Sequence, residues 1–272
     1  MDSLELIEQY KALKLHEVID HEKFSQYAIV HHSTTIEGST LTAIETQLLL
    51  DEGVTPSGRP LLHSLMAKDH FDALQEVIKQ AGNHRAVSVE TIQDINARVM
   101  KHTGNIYETV FGKIDASKGE FKKGNVQAGN TYFVNYDKVV SYTKELVKKI
   151  NEKIEQKLPL KEQLELSFSA HFDLVTIHPF YDGNGRTSRL LMNYLQRYFG
   201  LPLAIVFSED KAAYFEALQQ TRKEEDIQIF FDFMYGQYNK HLQQEITAYK
   251  SVVEGKRLKL NSGKGKGFSL FF

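Results

Sequence analysis

Apolar residues recur three and four positions apart along most of the chain, the period of a helix with one buried face. Leu6, Tyr10 and Leu13 mark the first such stripe, and Leu164, Phe168, Phe172 and Val175 mark a clearer one. The spacing predicts helices over 2–32, 42–51, 60–80, 88–102, 136–157, 160–177, 186–199, 209–221 and 226–254. Thr42 and Glu45 have the spacing of a capping box, and Ser88 precedes another periodic run as an N-cap would. The pattern fails over 112–135, where Gly112, Gly119, Gly124 and Gly129 interrupt it and short stretches such as Asn125 to Gln127 fit a hairpin. The expected fold is all-α with one small β-hairpin. No repeat of about 20–50 residues is present, and no Pro/Ser-rich linker divides the chain, so a single unit is expected. The Gly/Lys-rich and then apolar end reads as a tail or packing arm.

Composition narrows the class of partner. Of the 272 residues, 42% are hydrophobic and 25% charged, as in ordinary globular proteins. The formal net charge is −2 and the pI about 6.6, so bulk attraction to nucleic acid or an anionic membrane is excluded. There is no cysteine, hence no disulfide framework and no thiolate metal site. The opening residues are acidic and amphipathic rather than a basic region followed by an apolar core. No apolar run approaches the roughly 20 residues that cross a bilayer. A cytoplasmic protein without nucleic-acid or membrane partners is the expectation.

The chemistry concentrates in 177–193. A helix runs into His178, and Pro179 disfavours the helical state in the residue before it. Asp182-Gly183-Asn184-Gly185 then favours a tight turn, and a new helix begins with Arg186 and Arg189 near its start. Small residues let backbone N–H groups approach oxygen atoms, and a helix N-terminus adds partial positive charge. Arg186 and Arg189, three apart, are expected on one face, forking onto phosphate oxygens. Asp182 is placed to hold a Mg²⁺ that bridges phosphates. His178 is the side chain suited to proton removal near neutral pH, and Phe180 is the apolar anchor of the loop. A calcium loop starting at Asp182 fails because Arg186 stands at the fifth, ligand position, Thr187 at the sixth, where the turn needs glycine, and Asn193 at the twelfth, where a bidentate glutamate is needed.

These residues resemble the Fic family, whose signature His-Pro-Phe-x-(Asp/Glu)-Gly-Asn-Gly-Arg-x-x-Arg is matched at every specified position from His178 to Arg189. The resemblance runs from about Thr35 to about Phe231. It implies a Fic-like helical core over 60–240 with a hairpin flap at about 119–130, preceded by N-terminal helices over 1–59 and followed by a C-terminal helix and tail over 241–272. The implied activity is protein adenylyltransfer, with ATP as substrate and Mg²⁺ as cofactor. His178 would deprotonate the target hydroxyl and Asp182 would bind Mg²⁺. Gly183, Asn184 and Gly185 would form the anion hole, Arg186 would hold phosphates, and Arg189 would meet the γ-phosphate. Gly119, Phe121 and Lys122 stand where relatives show Gly-x-Tyr-Arg in the flap that registers the target. Tyr214 falls in the stretch resembling an adenine pocket, although Thr221-Arg222 replaces an expected asparagine.

Ser33 to Gly38 resembles the family's inhibitory pattern, (Ser/Thr)-x-x-x-Glu-(Gly/Asn). Ser33 and Glu37 would share a helix face, Gly38 would end the helix, and Glu37 would pair with Arg189 in competition with the γ-phosphate. His31-His32 invites a metal reading, but adjacent helix residues diverge and no third ligand is nearby, so helix surface is expected. The implied partner is a protein bearing a Ser, Thr or Tyr hydroxyl, the chain itself included. A de-AMPylating hydrolase, a transferase of another nucleotide or phosphate-containing group, and a non-catalytic nucleotide-binding module stay open, as does a homo-oligomer.

Overall fold

Stripes of apolar residues fold into ten α-helices among the residues that the computed structural model describes, namely 3–13, 15, 21–128 and 131–262. The helices are α1 (Ser3–Ala12), α2 (His21–Ile36), α3 (Ala43–Glu52), α4 (Leu61–Gly82) and α5 (Val89–Val99). After the strands come α6 (Val139–Ile154), α7 (Leu160–Ile177), α8 (Asn184–Tyr198), α9 (Lys211–Glu224) and α10 (Ile227–Ser262). The Thr42–Glu45 capping box forms, and Gly53 closes α3 with a φ of 71°. Ser88 caps α5 through the Thr91 N–H.

The expected first helix is two. α2 reaches Ile36, beyond the expected end, because hydroxyl side chains there stay inside the helix: Thr34 Oγ1 donates to Val30 O at 2.8 Å. Two antiparallel hairpins replace the single expected one. Strands β1 (Ile106–Thr109) and β2 (Gly112–Asp115) pair Ile106 with Asp115 and Thr109 with Gly112. Strands β3 (Gln127–Ala128) and β4 (Thr131–Tyr132) pair Gln127 with Tyr132. Residues 129 and 130, within the expected flap, lie outside the described residues. The C-terminal residues 263–272 lie outside them too.

Helices α7 and α8 pack along each other, with α4 against α8 and α5 beside both α4 and α8. Their interface is one apolar cluster, including Leu74, Ile92, Leu174, Phe180 and Leu190, all at most 1% exposed. A second cluster joins α1, α9 and α10 around Phe168, Phe230 and Tyr238. α2 bridges the two, giving Ile29 and Val30 to the first and Ile36 to the second. Burial of this kind contributes roughly 1.5–3 kcal/mol per large side chain, and it fixes where the ends of α2, α5, α7 and α8 meet. No helix of the described residues is long and apolar enough to cross a membrane.

Candidate active site

The loop between α7 and α8 carries the site. His178 ends α7 in the left-handed region, φ 52°, and its N–H still donates to Leu174 O at 3.0 Å. A non-glycine residue held there is strained by about 1–2 kcal/mol. The strain is offset by Phe180, 1% exposed, whose N–H and C=O are both bound by the Asn184 side chain at 2.9 Å. Asn184 therefore clamps the loop with its amide instead of aiming it at an anion. What it leaves open is the first turn of α8, where the N–H groups of Asn184, Gly185 and Arg186 have no carbonyl one turn earlier in the helix.

The glycines are required by close approach. Gly183 has φ 77°, and a Cβ there would come within 2.8 Å of Asn96 Nδ2 and Met100 Sδ. At Gly185 a Cβ would overlap the Glu37 carboxylate. Asn96, a polar residue on the apolar stripe of α5, donates to Asp182 O at 3.0 Å and Thr187 Oγ1 at 3.1 Å. It was not singled out from the sequence, although an asparagine between Ile92, Ile95 and Val99 was the available signal.

The two arginines do not share a face. Arg186, 3% exposed, turns toward α5, donating to Val99 O at 3.3 Å and Met100 Sδ at 3.0 Å. Its Nε is buried with no partner, a donor left available. Arg189, 4% exposed, turns toward α2: Nε donates to Ser33 Oγ at 2.9 Å, and Nη2 to Ser33 O at 3.0 Å and Glu37 Oε1 at 2.6 Å. Ser33 thus joins Glu37 on the guanidinium as a direct partner. Glu37 follows the last residue of α2, and Gly38, φ 101°, completes the turn. Burial pushes the Glu37 carboxyl up, but the charges of Arg189 and Arg186 outweigh it and hold the group below the ordinary carboxylate range.

Asp182 is half exposed, accepts from the Gly183 N–H and lies 4.0 Å from Arg186. A single open carboxylate at the edge of an anion cradle suits Mg²⁺, which keeps most of its waters and takes one or two carboxylates together with phosphates. No group of three or more ligand side chains that could hold a metal occurs among the described residues.

His178 Nδ1 lies 3.3 Å from Val175 O, and since a carbonyl only accepts, we assign the proton to Nδ1 and the free lone pair to Nε2. Burial pushes the imidazole down to about 4, with Lys122 and Arg222 acting in the same direction against the Val175 carbonyl and Glu37. The ring is neutral at physiological pH.

Three expected flap residues are anchors. Gly119, φ 64°, closes a 3₁₀ turn and abuts Gln93 of α5, where any Cβ would overlap a carbonyl oxygen. Phe121 packs on Phe180 with ring centroids 5.4 Å apart. Lys122 donates its N–H to Pro179 O, and its side chain is 2% exposed with Nζ lacking any partner. Burial lowers its amine to about 8. None of the three lies on strands β3 and β4, and it is Phe133, immediately after β4, that stacks on the His178 ring. Tyr214, expected at a base pocket, is 1% exposed and its hydroxyl lies 2.8 Å from His171 Nε2, beside Arg189, so it supports the arginine from behind. His31 and His32 are half-buried instead of surface groups, because α2 packs against the segment before α9, where His32 Nδ1 lies 3.0 Å from Ser208 Oγ. They line a cavity of about 1030 Å³ between α2 and α10 that contains none of the cradle residues.

Residues 86–196 match the family model of the Fic/DOC family. The protein adenylyltransferase fic-1 of Caenorhabditis elegans is 27% identical over 242 residues, covering 88% of this chain and 44% of its own length. The protein adenylyltransferase Fic of Drosophila melanogaster is 27% identical over 214 residues, covering 78% and 40%. The chain spans less than half the length of these curated relatives. Among solved structures, a Fic domain containing signaling protein from Bacteroides thetaiotaomicron superposes with a TM-score of 0.80 at 24% identity, over 92% of this chain and 98% of that one. Fic-1 of C. elegans, as a fragment, gives 0.72 at 23% identity over 92% and 71%. The signature and cradle lie within the stretch that matches the Fic/DOC family model, and the helical frame is similar to that of the solved Fic-domain structures.

Proposed function

We propose that the chain is a protein adenylyltransferase, moving AMP from ATP to a hydroxyl of a target protein and of itself, and held back by its own Glu37. The observation that carries the reading is one loop that presents a neutral imidazole with a free Nε2, an open carboxylate and the N–H groups of a helix start. The α8 N-terminus and the vacant Nε of Arg186 bind the polyphosphate. Nε2 of His178 takes the proton of the target hydroxyl as its oxygen attacks the α-phosphorus. The bond from that phosphorus to the bridging oxygen breaks, and pyrophosphate leaves. Mg²⁺ on Asp182 supplies charge neutralisation at the phosphates when bound. The protein's share is positioning and fixed charge, as in other phosphoryl-type transfers. Glu37 on Arg189 takes the donors a γ-phosphate needs.

Labelled ATP tests this with the Glu37→Gly chain and the Glu37→Gly/His178→Ala chain side by side. An α-phosphate label should enter protein with the first and vanish with the second. Label in neither, with ATP-Mg bound, would sink the transferase reading, and competition by other nucleotides reports base preference. A second reading is favoured by the exposure of the Glu37 carboxylate, which is 31% accessible and whose charge acts on His178. Such a group orients water as readily as it blocks a phosphate. Loss of AMP from a pre-modified protein, dependent on Glu37, would select hydrolysis.

A further inference from the structure

Phe133, immediately after β4, lies flat on the His178 ring, with centroids 3.7 Å apart and planes 12° from parallel. Its neighbour Tyr132 is 78% exposed, so the chain turns one aromatic outward and the next onto the base. A face stack covers the π surface of an imidazole and leaves its in-plane lone pair open. The Nδ1 tether to Val175 O already fixes one direction in that plane. Tether and stack together leave the ring one orientation, with Nε2 as its free edge.

Phe133 is itself braced. The Arg222 guanidinium of α9 stands 5.9 Å from the Phe133 centroid and 5.9 Å from that of Phe172, and its Nε donates to Thr176 Oγ1 at 3.2 Å. No ion pair to Arg222 occurs among the described residues; its contacts are the two rings and the Thr176 hydroxyl.

We propose that Phe133 is a positioning residue for the general base, holding the plane of His178 so that Nε2 alone meets the target hydroxyl. The proposal rests on the reading of His178 as base. Leucine in its place would fill space without imposing a plane, whereas tyrosine would keep both. Removing the ring also exposes the imidazole to water, and burial is the main cause holding that group down at about 4. The charged groups around it are Lys122 from the loop after β2, Arg222 from α9 and Glu37 after α2; the first two remain in every variant, and Glu37 is replaced alike in the parent and in all of them.

The test uses the full Glu37→Gly chain carrying Phe133→Ala, Phe133→Leu or Phe133→Tyr. The first readout needs no nucleotide: titration of the His178 ring protons by NMR. Phe133→Ala should raise the midpoint by about one pH unit or more toward the ordinary value, and Phe133→Tyr should leave it in place. The second readout is transfer kinetics. The alanine and leucine variants should lose on the order of 10–100-fold in kcat with KM for ATP changed less than about twofold, and tyrosine should restore kcat. A folded alanine or leucine variant with parental kcat and an unmoved midpoint overturns the proposal. Should alanine not fold, leucine decides by kcat and tyrosine rescue. A raised midpoint with no transfer by any form, parent included, supports the ring clamp and removes the transferase reading. Transfer unchanged by Phe133→Ala removes the clamp alone.

Discussion

Replacing Glu37 by glutamine isolates the charge of the Glu37–Arg189 contact while keeping its shape. Arg189 retains Ser33 Oγ at 2.9 Å and Ser33 O at 3.0 Å, so only the 2.6 Å bond to the carboxylate changes from charged to neutral. Hydrogen bonds to charged groups contribute about 1.5–3 kcal/mol and neutral ones about 0.5–1.5. The difference, about 1–2 kcal/mol, is an upper range here because Glu37 is 31% exposed. Without ligand, Glu37→Gln should lower Tm by roughly 2–8 °C. If a γ-phosphate competes for the same guanidinium, the free energy lost from the protein returns to the ligand, and ATP-Mg should bind about 5–30-fold tighter. Calorimetric titration and thermal melts measure both. The pH dependence has a definite sign. Glu37 is held below its ordinary value of 4.5, so its contribution is present above that value and is lost as pH falls through the folded value. The stability gap between wild type and Glu37→Gln should therefore close below pH 4.5. Affinity for ATP-Mg within twofold of wild type, with a pH-independent gap, would refute competition for Arg189.

Two further outcomes follow from the cradle. Gly183→Ala places a Cβ within 2.8 Å of Asn96 Nδ2 and Met100 Sδ at a φ of 77°, so urea denaturation should show a loss of about 2–4 kcal/mol, and a loss under 0.5 would contradict the packing. Lys122→Met removes a buried amine whose ordinary value of 10.5 is lowered to about 8. Since the folded state resists its charge, the variant should be more stable than wild type at pH 7, with the gain shrinking as pH rises from about 8 to 10.5; thermal melts across that range check it.

The parts of the site that lie along one stretch of chain were legible before the structure. His178, Asp182 and the glycines follow one another in a loop between two periodic runs, and local turn chemistry is written in local sequence. The α7 stripe gave its helix to the residue, Leu160 to Ile177, because four large side chains share one buried face. What was not legible comes from long-range packing. Nothing in the spacing of Arg186 and Arg189 tells that Met100 draws one and Ser33 the other, because those partners are 86 and 156 positions away. The β1–β2 turn was missed since Val110, 93% exposed, and Phe111, 57% exposed, occupy a tip where turn statistics favour Gly, Asn or Asp. Lys122 was expected in the flap, and only the tertiary pairing of its N–H with Pro179 reveals that it is drawn inside.

The position of Glu37 one residue beyond α2 bears on timing. The body of α2 is locked by Ile29, Val30 and Ile36, at 4%, 0% and 1% exposed, so moving the helix would uncover parts of both apolar clusters. Turning the glutamate about its own side-chain bonds uncovers none of that surface. Side-chain rotations run in picoseconds to nanoseconds and helix displacements in microseconds to milliseconds. A carboxylate that leaves by rotation re-equilibrates many times within one turnover. The proposed restraint is then a fast equilibrium set by nucleotide concentration, and progress curves begun by adding ATP should rise without a lag.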